Sequence, residues 1–234
     1  MTGTGWRASK LTGVLFDLDD TLVDHRGAVD RGLRVWLGGL GLDGSLEEHV
    51  ERWFALETHH YERWQRREIG FREQRRARIR AFLPHCDLRD DAVADDVFAG
   101  FLACYRAAWS AFADAGRALA GALEAGLRVG ILTNGDQVAQ EDKLRRTGLA
   151  TYGVPVFASS SLPAAKPDPR AFHRACAALG VEPAGAVMVG DSLRHDVRGA
   201  RAAGLEGVLV DRLGRYDRRP AGVTRVRSLA DLAW

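Results

Sequence analysis

The run at 11–16, LTGVLF, is almost wholly apolar and ends in the polar cluster DLDDT. A continuous run that short predicts a strand buried on both faces, which would deliver the carboxylates of Asp17 and Asp19 at its C-terminal end. From about 24 to 112 the pattern changes: apolar residues recur at helical spacing, glycines thin out after Gly44, and no strand alternation appears. Ser45 and Glu48 stand three apart, the spacing of a capping box, and open a predicted helix running to about Ile69. Gly70 separates it from a second helix over 71–83, stopped by Pro84. A third is predicted over 90–112, with Phe98, Leu102, Tyr105 and Trp109 along one face. Trp53, Trp64 and Phe71 are expected to pack inside this block with Trp109.

After Asp114 the rhythm alternates. LAGALEAG precedes LRVGILTNG, QVAQEDKLRRTG precedes VPVFAS, PRAFHRACAALG precedes AVMVGD, and VRGARAAG precedes EGVLVD. Helix-then-strand units joined at glycines predict an α/β fold, a doubly wound parallel sheet covered on both faces. The strand at 11–16 belongs to that sheet. The predicted organisation is therefore a core of residues 1–23 and 114–234, interrupted by an all-helical insertion at 24–113. No internal repeat or low-complexity tract is present.

Charge narrows the partners. Lys+Arg 33 against Asp+Glu 31 leaves +2, so no global field draws the chain to nucleic acid or to an anionic membrane. The arginine-rich stretch at 63–80 is interleaved with Glu68 and Glu73 and reads as a solvated helix face. His59 and His60 are adjacent, so on a helix they diverge and cannot chelate one metal. Cys86, Cys104 and Cys176 are far apart, neither a disulfide framework nor a zinc spacing, which suits a reducing compartment. Residues 1–10 have no apolar signal region and no stretch of about 18 apolar residues occurs, so the expectation is a cytoplasmic protein without a membrane span. Lys10, Lys143 and Lys166 are the lysines of the sequence, so each one stands out.

Candidate chemistry collects at the predicted strand ends: Asp17 and Asp19 after the first, Thr133 and Asn134 at the second, Asp191 after AVMVG, and Lys166 in the loop SLPAAKPDP. In a parallel sheet all strand C-termini open on one edge, so these distant residues can converge. Converging carboxylates repel unless a cation joins them, and an oxygen-only set of this kind suits Mg²⁺ completed by water and substrate phosphate. Lys166 and the Thr133 hydroxyl would complement a phosphoryl group.

These residues resemble the haloacid dehalogenase-like (HAD) hydrolase superfamily, in its members with a helical, C1-type cap. Asp17-Leu18-Asp19-Asp20-Thr21 is similar to its D-x-D-x-T, Thr133 to its second motif, Lys166 to its third, and Gly190-Asp191 with Asp196 to its acidic fourth. The resemblance implies a Rossmann-like core, a cap formed by the insertion, and an aspartyl-phosphate mechanism. Asp17 would be the nucleophile and Asp19 the acid and base. Metal ligands would be the Asp17 carboxylate, the Asp19 main-chain carbonyl and the Asp191 carboxylate. Thr133, Asn134 and Lys166 would hold the phosphoryl group, with Asp196 behind as a partner of metal water or lysine.

The expectation is a Mg²⁺-dependent phosphatase, a phosphomonoester hydrolase of a small soluble phosphorylated metabolite, working as a monomer or homodimer. A lid that closes over the substrate favours a small one. ILTNG followed by QEDKLRRTGL resembles capped members acting on nucleoside monophosphates or sugar phosphates. A haloacid dehalogenase or a phosphosugar mutase on the same fold are the alternatives; Asp19 counts against the first. A phosphonatase needs a cap lysine, and 24–112 contains none. A receiver module would place its acceptor on a different strand from its acidic pair, in about half this length, and an inactive binding protein would be expected to lack Asp17 or Asp19.

Overall fold

The computed structural model describes residues 11–40, 44–216 and 221–234. The stretch 1–10, read above for an export signal, lies outside the described residues. The chain divides into two compact units, Met1–Asp24 with Ser110–Trp234, and His25–Trp109.

The first unit is built on a six-stranded sheet, β1 (Gly13–Phe16), β2 (Arg128–Thr133), β3 (Val156–Ala158), β4 (Ala186–Gly190), β5 (Glu206–Val210) and β6 (Thr224–Val226). All pairings are parallel, in the order β3-β2-β1-β4-β5-β6. The first five strands fall where the apolar runs predicted them. β6, of three residues, is too short for its alternation to show in the sequence.

Successive strand residues point to opposite faces, and the two sides carry separate cores. Val14, Phe16, Ile131 and Val189 pack with Ala118, Leu119 and Ala122 of α5 (Ala115–Glu124) and Leu144 of α6 (Gln137–Arg146). Leu15, Leu132 and Met188 pack on the other side with Phe172 and Cys176 of α7 (Pro169–Leu179) and Ala200 of α8 (Gly199–Ala202). Helices on both faces explain why the strands read as unbroken apolar runs.

The second unit is helical, with α1 (His25–Leu37), α2 (Leu46–Gln65), α3 (Phe71–Phe82) and α4 (Asp91–Ala107). The capping box forms: Ser45 Oγ accepts from the Glu48 N–H at 3.2 Å and the Glu48 carboxylate accepts from the Ser45 N–H at 2.9 Å. The fully buried Trp53 indole is surrounded by Trp36, Phe82, Phe98 and Phe101.

Two helices end earlier than their patterns suggest. α2 stops at Gln65, because Arg67 takes a left-handed φ of 61° and Arg66 turns back onto Glu68 at 2.6 Å. α4 stops at Ala107. Beyond it the chain pairs within the first unit, through Asp24 N–H to Ser110 O at 3.0 Å and Phe112 N–H to Leu22 O at 2.9 Å. The arginine stretch is also less solvated than its charge pattern implies. Arg78 is 4% exposed, paired with Glu57 and laid over the rings of Trp53 and Phe98. Arg76 bonds Asp91 and Asp95.

Candidate active site

The strand order places β1 between β2 and β4, where the connections run to opposite sides of the sheet, and its C-terminal edge is the usual ligand crevice of such sheets. Register aligns Phe16 with Ile131 on one side and Val189 on the other. Asp17, Thr133 and Asp191 therefore leave the sheet along one edge. Asp17 is fixed by its N–H to Val189 O at 2.9 Å. Asp20 then adopts φ 59°, a left-handed turn that aspartate tolerates better than most residues, and its N–H closes onto Val23 O at 2.7 Å.

Lys166 is the centre of the cluster. Its ammonium donates to Asp17 Oδ1 at 2.7 Å and to Asp196 Oδ1 at 2.6 Å, and its side chain is 2% exposed. Asp196 lies in the π-type turn Leu193–Arg198 and its second oxygen accepts from the Ser192 N–H at 2.9 Å. It sits hard against β4: a Cβ on Gly190 would land on the Asp196 carboxylate. Glycine at the strand end is what lets Asp196 approach.

Asp17, Asp191 and Asp196 each bring a carboxylate oxygen within 4.8 Å of the others. Burial, the Asp196 and Asp19 charges working with it and Lys166 against it, pushes the Asp17 carboxyl up to about 7. Burial with the charges of Asp17, Asp196 and Asp20, partly offset by Arg215, pushes Asp191 up to about 8. Burial pulls the other way on Lys166, yet Asp17 and Asp196 hold it above its ordinary value. Three carboxylates against Lys166, which bridges Asp17 and Asp196, and Arg215 beside Asp191 leave the cluster short of positive charge. Its hard oxygen donors and that deficit fit a divalent cation such as Mg²⁺, with Asp17 and Asp191 as the residues able to ligate it.

The remaining candidates occupy distinct places. Thr133 is buried at the end of β2. The Asn134 side chain forms a paired strut to the Lys166 backbone, its amide donating to Lys166 O and its oxygen accepting from the Lys166 N–H, both at 2.8 Å. That side chain positions the lysine loop, so a phosphoryl contact from Asn134 would have to come from its main-chain N–H. Asp19 faces α6, where Lys143 Nζ meets its Oδ1 and Gln140 Nε2 donates to its Oδ2 at 3.0 Å.

Gln140 and Lys143 are site residues that motif reading passed over. Their signal was the spacing of three on the helix after Thr133, with Lys143 one of few lysines in the chain. Arg215, 3.6 Å from Asp191 and 4.0 Å from Asp20, gave no signal, because it follows a loop whose path only the fold defines.

The family model for haloacid dehalogenase-like hydrolases matches residues 11–204. The chain belongs to the haloacid dehalogenase-like hydrolases. It is 31% identical over 218 residues to a glyceraldehyde 3-phosphate phosphatase of Methanopyrus kandleri, covering 88% of this chain and 86% of that protein. It is 48% identical over 94 residues to a phosphoserine phosphatase of Thermus thermophilus, a match spanning 40% of this chain and 38% of that one. A solved 2-haloacid dehalogenase of Pseudomonas syringae pv. Tomato superposes with a TM-score of 0.66 at 27% identity, covering 94% of this chain and 95% of that one. The HAD fold is therefore the Rossmann-like parallel sheet described above, and among the described residues no helix is long and apolar enough to cross a membrane.

Proposed function

We propose that this HAD hydrolase is a phosphatase that cleaves monoesters of a small phosphorylated metabolite, of the nucleoside monophosphate or sugar phosphate type, with Mg²⁺ bound. The observation that carries the reading is the carboxylate triad, Asp17, Asp191 and Asp196, with Lys166 bridging Asp17 and Asp196 and Arg215 beside Asp191. A site for a haloacid carboxylate would have to accept an anion without a metal, and this one already holds an excess of negative charge. The names of the two phosphatase relatives agree with the reading, and the dehalogenase neighbour keeps halide release as the second one.

In this proposal Asp17 attacks phosphorus with its free carboxylate oxygen while Lys166 holds the other and offsets charge on the phosphoryl oxygens. The metal, held by Asp17, the Asp19 main-chain carbonyl and Asp191, would supply further charge neutralisation. Thr133 donates its hydroxyl to a phosphoryl oxygen, with the Asn134 N–H beside it. Asp19 gives a proton to the leaving oxygen and later takes one from the attacking water. Asp196 keeps Lys166 in place. The helical unit, inserted between the first and second motifs, takes the role of the cap that selects the substrate.

The test is phosphate release from nucleotides, sugar phosphates, phosphoglycolate and p-nitrophenyl phosphate, with Mg²⁺ or with EDTA. Metal-dependent release that Asp17→Asn abolishes without loss of the helical circular dichroism supports the proposal. Chloride release from a 2-haloacid, with no phosphate from any ester, overturns it in favour of the dehalogenase.

A further inference from the structure

Gln140 and Lys143 lie one turn apart on the same face of α6, 3% and 4% exposed. Gln140 uses its amide nitrogen twice, on Asp19 Oδ2 at 3.0 Å and on Thr133 Oγ1 at 2.8 Å. A hydroxyl that accepts from an amide keeps its own hydrogen for another acceptor, so this contact also orients Thr133 as a donor. Lys143 Nζ takes the other oxygen of Asp19. Both oxygens of one carboxylate and the hydroxyl on the neighbouring strand are thus set by a single helix turn.

The approach is close enough to need glycine. A Cβ on Gly135 would stand 2.6 Å from Gln140 Cγ and Nε2, so only a residue without one lets Gln140 lie under the strand end. Burying an ammonium costs solvation that an apolar pair at the same place would not, so a buried ion pair is weak evidence for stability and better evidence for a fixed geometry.

We propose that Gln140 and Lys143 are positioning residues that clamp the Asp19 carboxylate and the Thr133 hydroxyl in one arrangement at the sheet edge. In its kinetic form the inference rests on the phosphatase reading. Neither residue then touches substrate. Loss of Lys143 should slow the proton-dependent step while leaving substrate affinity intact, loss of Gln140 should also loosen the Thr133 contact to the phosphoryl group, and misplacement of a catalytic group by about 1 Å can cost up to about a hundredfold in rate.

The experiment compares Lys143→Met, Gln140→Met and Lys143→Arg on two esters, p-nitrophenyl phosphate and the alkyl monoester turned over fastest in the panel. For Lys143→Met the expected result is kcat on the alkyl ester down about tenfold or more with KM within about twofold; Gln140→Met, which also releases the Thr133 hydroxyl, should slow both esters. In Lys143→Met the phenolic ester, whose leaving group needs little proton donation, should lose less than about threefold. Lys143→Arg should recover most of the alkyl rate. Equal losses on both esters in Lys143→Met, a change in KM alone in that variant, or wild-type kcat in either methionine variant would overturn the clamp. A double-mutant cycle of Lys143→Met with Asp19→Asn, read by thermal unfolding, tests the contact without turnover: non-additive losses support it and additive ones overturn it. If the wild type releases phosphate from no ester, the phosphatase reading has failed and the cycle alone decides the clamp.

Discussion

Replacing Lys166 by methionine keeps the aliphatic stem and removes one buried charge. The ammonium sits 2.7 Å from Asp17 and 2.6 Å from Asp196, and both carboxylates lose it together. Stranding a buried charge by deleting its partner costs about 3–5 kcal/mol. At about 2–4 °C per kcal/mol for a chain of this size, the core should melt roughly 6–20 °C lower. Proton uptake offers an escape, and it fixes the sign of the pH dependence. Asp17 already stands near 7 with Lys166 pulling it down, so without the lysine it rises further. An acid whose folded pKa is raised above its unfolded value contributes stability at low pH that is lost as pH climbs through the folded value. The deficit of Lys166→Met should therefore be smaller near pH 5.5 than near pH 8.5, growing as pH climbs above about 7. Thermal melts of both proteins in EDTA at the two pH values read this directly. A deficit below about 2 °C at the higher pH, or one equal at both, would refute the assignment of Lys166 as the counter-charge of the cluster.

Other consequences are as open to measurement. Mg²⁺ should raise the melting temperature of the wild type more near pH 8.5 than near pH 5.5, where protons already occupy Asp17 and Asp191; a shift independent of pH would place the ion elsewhere. Gly190→Ala puts a methyl group against the Asp196 carboxylate and should cost about 1–3 kcal/mol by overpacking, read as a lower denaturant midpoint. Glu57, which burial would raise but Arg78 and His25 hold down at about 2 against the usual 4.5, contributes about 3 kcal/mol to the helical unit above pH 4.5, lost as pH falls through about 2. Acid titration of Glu57→Gln beside the wild type checks it, since the variant should lack that part of the acid transition.

The strands at 13–16, 128–133 and 186–190 were legible because each is buried on both faces, which writes an unbroken apolar run into the sequence. The motif residues Asp17, Thr133 and Asp191 were legible for a related reason: parallel strands put their ends on one edge, so strand-end chemistry can be collected without knowing the order of the strands, whereas Lys166, in the loop beyond β3, was legible through its resemblance to the family's third motif. The capping box at Ser45 is a local exchange of hydrogen bonds and needs no tertiary context. Nothing local marks where α4 stops, because the segment after it is claimed by pairing with Leu22 and Asp24, far away in sequence. Arg78 likewise read as a solvated arginine until Glu57 and two aromatic rings enclosed it.

By itself, then, the sequence determined the fold class and the chemical identity of the sheet edge, since burial periodicity and short motifs are properties of neighbouring residues. Tertiary structure alone decided how those groups are used: that the Asn134 side chain braces Lys166, that Lys166 bridges Asp17 and Asp196, and that Asp19 is held by Gln140 and Lys143. Such contacts join residues separated by 30 to 149 positions, for Lys166 with Asp196 and with Asp17, and their energies depend on distance and burial, which no local pattern encodes.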